Sequence, residues 1–412
     1  MAPNRLQQAT SRMSRIPAIE ICAGKERPLG VSPTVFLRDH WQKHPLLIRG
    51  AFADFRNPVA PDDLAGLACE ELALSRIAIH EPKRDRWSLR SGPFAESDFS
   101  TLPKTHWTLL VQDVDKWDAD VAALLGRFSF LPSWRVDDVM ISYAEDGGSV
   151  GAHVDQYDVF LLQGLGRRQW LIDARPNAPT SFRDDVELKL LREFTPTHDW
   201  ILEPGDMLYL PPGVPHHGIA LGASMTYSIG MRAPSQADLL GDFVDHLIEG
   251  LPEEARYTDA DLLPARGDGE IDDAAIARVM QAMPWVRLDS PAAMASLRAW
   301  FGRFITRYRS AQMAAAPPRR LSDAMFLRAV ANGASVRRNP WSRCAWMRDG
   351  RGAVLFVAGD GHACSLSFAR TAGSLDEFPL ATGNARDAAL LRLLIDAGHY
   401  VLVHPRRSRG SR

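Results

Sequence analysis

Two histidines and an aspartate carry the most distinctive chemistry this chain offers. His153-Val154-Asp155 sets an imidazole and a carboxylate two residues apart, and His216 follows in the run Leu210-Pro211-Pro212-Gly213-Val214-Pro215-His216. On one face of a divalent iron, two imidazoles and one carboxylate leave three coordination positions open, the donor set of non-haem Fe(II) oxygenases. That set cancels only one of the metal's two charges, so an anionic chelator is still attracted. The ligands must also be positioned. His153 and Asp155 lie in a segment of strand character, where residues two apart leave the same face. His216 comes just after the strand-like run 207–210 and a Pro-Gly turn. His217 is its neighbour, and only one of two adjacent strand residues can point inward.

The surrounding text is rich in short strands. The segments 46–48, 107–112, 138–143, 159–163, 169–172, 207–210 and 226–231 read as strands, several with period-two alternation, as in Val139, Ile141 and Tyr143. Asp146-Gly147-Gly148, Gly164-Leu165-Gly166 and Glu203-Pro204-Gly205-Asp206 punctuate them as turns. Many short strands with Gly and Pro turns predict a sandwich or barrel. Glu145 and Asp146 read as a solvated loop, and His198-Asp199 as surface in a polar connector.

Beyond residue 235 the period changes. Leu239, Leu240, Phe243, Val244 and Leu247 repeat at helical spacing, as do Leu297, Trp300, Phe301, Phe304, Ile305 and Tyr308. The second set makes a broad aromatic stripe, either packing or a dimer seam. Residues 314–318 read as a linker. After it come a helix at 322–331, strands at 353–358 and 363–368, a helix at 385–397 and a strand at 400–403. The helix at 385–397 has apolar residues around much of its circumference and few side chains that read bases, so direct DNA binding is not expected.

Composition narrows the class. The chain has 412 residues, 48 basic against 50 acidic, and a formal charge of -2, which gives no global attraction to nucleic acid. Cys22, Cys69, Cys344 and Cys364 are scattered without paired spacing and read as reduced thiols. No apolar run approaches the roughly 20 residues of a membrane span. The opening residues carry Arg5, Arg12 and Arg15 without a signal-peptide core, and Arg406, Arg407, Arg409 and Arg412 close the chain in a small basic tail. The expectation is a cytoplasmic protein of two or three domains.

The words around the triad resemble a known family. Residues 140–170 (MISYAEDGGSVGAHVDQYDVFLLQGLGRRQW) and 202–233 (LEPGDMLYLPPGVPHHGIALGASMTYSIGMRA) are similar to the bacterial ribosomal oxygenases of the Jumonji-C class. The likeness extends to residues 36–52, with His40-Trp41-Gln42-Lys43, and to 107–112. It is dense to about residue 233 and architectural beyond.

The resemblance implies a double-stranded β-helix (cupin/JmjC) barrel with the metal at its mouth, a helical dimerisation region and a C-terminal winged-helix-like α+β module. The corresponding segments are a tail at 1–29, a catalytic domain at 30–235, the helical region at 236–316 and the winged-helix-like module at 317–412. It implies Fe(II), 2-oxoglutarate and dioxygen as reactants, His153, Asp155 and His216 as metal ligands, and a homodimer. The substrate it implies is an arginine side chain of the large-subunit ribosomal protein L-sixteen. A dicarboxylate cosubstrate needs a cation for its distal carboxylate, and Arg offers a planar bidentate fork. Arg167 and Arg168 are both placed for it by sequence; the resemblance selects Arg168, with Ser142 as hydroxyl partner. For a substrate guanidinium, Tyr157 and Asp158 are the candidates. The alternatives are an oxygenase of another protein or small molecule, and a non-catalytic metal-binding cupin regulator.

Overall fold

The structure, a computed structural model, describes residues 18–24, 29–262, 271, 273–283, 290–307, 314–374, 376–380 and 383–404. Most of the expected N-terminal tail, Tyr308 and the basic C-terminal tail lie outside these residues. The chain forms two compact units, one up to Ala233 and one from Pro234 onward. The helices expected as a separate region at 236–316 group with the C-terminal module.

The first unit is built on β1 (Glu20–Cys22), β2 (Leu46–Arg49), β3 (Ser75–Glu81), β4 (Arg86–Ser91), β5 (Trp107–Val111), β6 (Val136–Ala144), β7 (Val159–Ile172), β8 (His198–Leu202), β9 (Met207–Leu210) and β10 (His216–Met231). Helices α1 (Pro33–Asp39), α2 (Pro61–Leu67), α3 (Glu96–Ser100), α4 (Val114–Trp117) and α5 (Ala119–Leu124) interrupt them. The ten strands form one sheet in the order β1-β2-β9-β7-β10-β6-β5-β3-β4, with β8 also paired to β7. The crossing of chain order is that of the double-stranded β-helix.

Period two decides which side chains meet. On β6, Val139, Ile141 and Tyr143 face the larger apolar core, joined by Phe160 and Leu162 of β7 and Tyr227 and Ile229 of β10. The alternate residues of β7, Val159 and Leu161, enter a second core with Trp170, Ile172, Leu202 and Leu208. A strand buried on both faces reads as a continuous apolar run, as Val159-Phe160-Leu161-Leu162 does. Each fully buried side chain of this size contributes roughly 1.5–3 kcal/mol.

Three features differ from the sequence expectation. Gly164-Leu165-Gly166 is not a turn: β7 runs unbroken through it. The pairing with β10 slips between Leu221 and Met225, and Gly166 takes the left-handed φ of 61°. A Cβ at Gly166 would sit 2.0 Å from the Ala223 carbonyl oxygen, so the pair of glycines marks a bulge. His198-Asp199 opens β8 instead of lying in a connector, although the Asp199 carboxylate is still exposed and accepts from Gln169. The β3–β4 hairpin adds two strands outside the expected set, on the alternation of Ile77 and Ile79, and β1, within the segment expected as tail, adds another by pairing with β2.

The second unit begins with α6 (Gln236–Glu249), α7 (Asp273–Ala282) and α8 (Pro291–Thr306). Ser235 and Ser290 cap α6 and α8 by accepting from Asp238 N–H and Ala293 N–H. Part of the aromatic stripe of α8 is core within this unit, while Leu297, Phe301 and Phe304 are half-buried. Trp300 is 4% exposed, packs tilted against Phe243 and stacks on Phe304 with centroids at 4.8 and 5.3 Å, and donates Nε1–H to Asp242 at 2.8 Å. Ile305 is buried as well.

The remainder comprises α9 (Asp323–Ala331), β11 (Ser335–Arg338), β12 (Cys344–Asp349), β13 (Gly352–Val357), β14 (Asp360–Cys364), α10 (Leu366–Ser374), β15 (Glu377–Pro379), α11 (Ala385–Asp396) and β16 (Tyr400–Val403). They make two three-stranded sheets, β15-β11-β16 and β12-β13-β14. The strand expected at 363–368 ends at Cys364, because the Ser365 hydroxyl accepts from Phe368 N–H and starts α10.

Candidate metal centre

His216 is the first residue of β10, and His153 meets it in a single antiparallel bridge: His153 N–H donates to the His216 carbonyl at 3.0 Å and His216 N–H returns the bond at 2.9 Å. Each ring then turns its Nδ1–H to a carbonyl two residues earlier, His153 to Gly151 and His216 to Val214, both at 2.9 Å. Those bonds fix the tautomer, so each Nε2 keeps its lone pair for a ligand. Asp155 closes the group. Its Oδ2 lies 3.7 Å from His216 Nε2, and the donor atoms of His153, Asp155 and His216 all fall within 4.8 Å of one another.

The route to this arrangement differs from the sequence expectation. Only His153 is bridged; Asp155 sits in irregular backbone, with its carbonyl accepting from Gly213 N–H at 2.8 Å. A common face is produced by the bridge and this turn contact, not by a regular pleat.

Burial sets the charge states of the protein groups alone. It pushes the His216 imidazole well down, helped by His153, so the ring is a neutral donor. It raises the Asp155 carboxyl, opposed by His153 and by a hydrogen bond from Tyr157. A dication among the three favours their deprotonated forms. His217 is not part of the group. It pairs with Leu171, packs against Phe194 at 6.3 Å, and burial pulls its pKa down to about 4.

Of the two arginines, Arg167 is exposed and Arg168 is buried. The Arg168 guanidinium donates Nη2–H to the Gly218 carbonyl at 3.2 Å and lies 5.3 Å from the Trp170 ring, while its Nε and Nη1 have no partner. Burial without a counter-charge lowers its pKa to about 10. Trp170 shares its face of β7, approaches the His216 ring to 5.9 Å, and has an unpartnered Nε1 as well. The backbone makes room for this group at Gly218, where a Cβ would lie 2.7 Å from Arg168 Nε and from the Trp170 ring. A buried, unpaired guanidinium beside a His/Asp/His triad is fitted to an acidic chelator.

Ser142 is buried on the face of β6 opposite Ile141 and donates to the Thr226 carbonyl at 3.5 Å. Its cross-strand partner Thr226 donates to Gln163 Oε1 at 2.9 Å. Two hydroxyls in the next row are not among the residues expected from sequence. Thr108 and Ser224 flank Ala144, are fully buried, and have no hydrogen-bond partner. The alternation of Ser224, Thr226 and Ser228 along β10 is the signal that could have found Ser224; Thr108, alone on apolar β5, had none.

Tyr157 is 40% exposed, and its hydroxyl is bonded to Asp155. Asp158 is different. It is completely buried and accepts from Tyr209 OH at 2.7 Å, Gln42 Nε2 at 3.0 Å and Arg135 Nη2 at 3.3 Å. A carboxylate so committed is not offered to an incoming guanidinium.

The barrel and the triad held at its mouth define the JmjC type of cupin-fold oxygenase. The JmjC domain family matches residues 123–239, and the ROXA-like winged helix family matches residues 289–369. The chain is 38% identical over 283 residues to the ribosomal protein uL16 3-hydroxylase of Escherichia coli strain K12, spanning 69% of this chain and 73% of that protein. The crystal structure of E. coli YcfD superposes with a TM-score of 0.80 at 32% identity, covering 90% of this chain and 98% of that one. A structure of the same ribosomal oxygenase with cobalt and 2-oxoglutarate matches at TM-score 0.76 and 31% identity, over 90% of this chain and 98% of that one. The chain belongs to the JmjC-class ribosomal oxygenases, which are Fe(II)- and 2-oxoglutarate-dependent dioxygenases.

Proposed function

We propose that this protein hydroxylates an arginine side chain of ribosomal protein L-sixteen, with His153, Asp155 and His216 holding Fe(II) and Arg168 seating the distal carboxylate of 2-oxoglutarate. The observation that carries the proposal is the Arg168 guanidinium, buried with two unpartnered nitrogens against Trp170, whose ring in turn approaches His216 of the triad. When bound, iron supplies the redox chemistry that couples reduction of dioxygen and decarboxylation of 2-oxoglutarate to insertion of one oxygen atom into a C–H bond. The chain's residues do the rest. Nδ1-anchored histidines hold their lone pairs in place, Arg168 orients the cosubstrate, and Trp170 helps keep water from the cavity. Ser142 is placed as a hydroxyl on the same sheet, and Tyr157 at the mouth is the remaining candidate for contact with the substrate side chain.

The relatives named for ribosomal proteins support the substrate class, and the protein substrate with unpaired cysteines supports a cytoplasmic setting. Among the described residues, no helix is long and apolar enough to cross a membrane. The test is intact-mass analysis of ribosomal proteins from cells with and without the gene. Loss of one oxygen atom from L-sixteen alone is expected, and tandem mass spectrometry of that protein assigns the residue. An unchanged mass overturns the substrate.

A homodimer is also proposed, through α6 and the part of the α8 stripe that the unit leaves open. Leu240, Val244 and Ile248 are 65%, 41% and 59% exposed along one side of α6. Beside them an apolar groove of about 560 Å³ runs between α6 and α8, lined by Leu239, Phe243, Leu297 and Phe301. An apolar surface of this kind marks an association site, and the two-fold dimer is the commonest closed arrangement. Leu240→Glu with Val244→Glu should give monomers by light scattering, and a monomeric wild type at micromolar concentration removes the claim.

A further inference from the structure

We infer that Asp158 is a positioning residue of the metal centre: its buried carboxylate clamps the segment that carries Asp155 to the turn after α1. The inference rests on Asp155 being a metal ligand, as proposed above.

Between the bridge at His153 and the first residue of β7, the chain runs through residues 154–158 without strand structure. Asp155 lies in the middle of that run. A ligand on irregular backbone holds its direction only if the backbone is fixed from both sides. On the upstream side the His153–His216 bridge and the Gly213 N–H bond to the Asp155 carbonyl do this. Downstream, the anchor is Asp158. Its carbonyl accepts from Met231 N–H at 2.9 Å. Its carboxylate takes three donors from three separate parts of the unit: Gln42, Tyr209 of β9, and Arg135 before β6.

The geometry of the donors shows a built site. Gln42 adopts a φ of 57°, a left-handed conformation that a residue with a Cβ rarely takes. In that conformation its backbone N–H donates to Tyr209 OH at 2.8 Å while its side-chain amide reaches Asp158. The Tyr209 hydroxyl thus relays between Gln42 and the carboxylate. Strained backbone of this kind persists where its surroundings over-determine it. Arg135 is held on its other side against Trp41, 5.4 Å from the ring. The motif His40-Trp41-Gln42-Lys43 therefore supplies contacts that fix a ligand-bearing segment far away in sequence.

The measurement is Mn2+ or Co2+ affinity of the full chain by calorimetry, with circular-dichroism melts on the same samples. Asp158→Asn keeps the shape and removes the charge. Supporting groups around metal ligands typically govern affinity by about 10–100-fold, so a loss of at least about tenfold is expected in protein that is still folded at the assay temperature. A melting temperature that falls while metal affinity stays at the wild-type value makes Asp158 merely structural and overturns the inference. Should Asp158→Asn fail to fold, Gln42→Ala and Tyr209→Phe each remove one donor and leave the carboxylate. Weakened metal binding in these supports the clamp, and wild-type binding in both overturns it. Asp155→Ala separates the two readings. If it binds metal like the wild type, the ligand assignment fails; if it loses metal while the Asp158 series does not, only the clamp fails.

Discussion

His153 and His216 are held as a matched pair. The same two backbone bonds that join them leave each ring free to anchor its Nδ1 on a carbonyl two residues upstream, at the same 2.9 Å. Both Nε2 atoms therefore face the Asp155 carboxylate as acceptors before any ligand arrives. His153→Ala, Asp155→Ala and His216→Ala are each expected to abolish turnover and metal binding. His217→Ala, whose ring lies against Phe194, should keep a substantial part of both. An inactive His217→Ala beside an active His216→Ala would move the ligand by one residue.

Arg168→Ala should leave metal affinity near wild type and raise the 2-oxoglutarate requirement steeply. Removing one partner of a buried charge pair typically costs about 2–5 kcal/mol. Calorimetric titration of 2-oxoglutarate into the Mn2+-loaded protein reads this directly. Unchanged affinity, or a loss in Arg167→Ala instead, would remove Arg168 from the role.

Gly218→Ala tests the close approach of β10 to the same guanidinium. The added methyl would lie 2.7 Å from Arg168 Nε and from the Trp170 ring, so one of them must shift. Overpacking of this kind costs about 1–3 kcal/mol, and the displaced arginine should weaken 2-oxoglutarate binding too. Gly241→Ala on α6, where a Cβ meets nothing within 4 Å, is the control. It should be neutral or stabilising by up to about 1 kcal/mol. Equal melting temperatures for the two variants would contradict the packing argument.

Asp138 gives the pH prediction. Burial, with the nearby carboxylates of Asp113, Asp137 and Asp115, pushes its carboxyl up to about 7. A carboxyl raised on folding binds its proton more tightly in the native state. Its favourable contribution is complete below the unfolded pKa near 4 and is lost as pH rises to about 7. Asp138→Asn should therefore match wild type near pH 4 and exceed it above pH 7, by roughly 1–3 kcal/mol. Chemical denaturation at both pH values measures the difference, and a gain equal at the two would refute the assignment.

The centre was legible because its donors are rare residue types in fixed local patterns, and the barrel was legible through alternation. What the sequence hid was tertiary. A Gly-Leu-Gly run has the same letters whether it turns the chain or bulges a strand; the pairing of Arg167 and Arg168 with β10 decides between them. The stripe on α8 has the letters of an interface, yet Phe243 of α6 and Asp242 beside it already satisfy Trp300. Asp158 sits three residues from Asp155, the spacing of a substrate contact. Its partners Gln42, Tyr209 and Arg135 are distant in sequence, and local spacing carries no record of them.

The buried Arg168 guanidinium has no carboxylate as the other half of an ion pair among the described residues. With a metabolite carboxylate as that other half, the folded state is completed only when the metabolite is bound. A ligand at a hundred times its dissociation constant adds about 2.7 kcal/mol to folding stability. A chain without that ligand would lack this increment and open more often. The supply of a central carbon acid would then set how much of this enzyme survives as well as how fast it works.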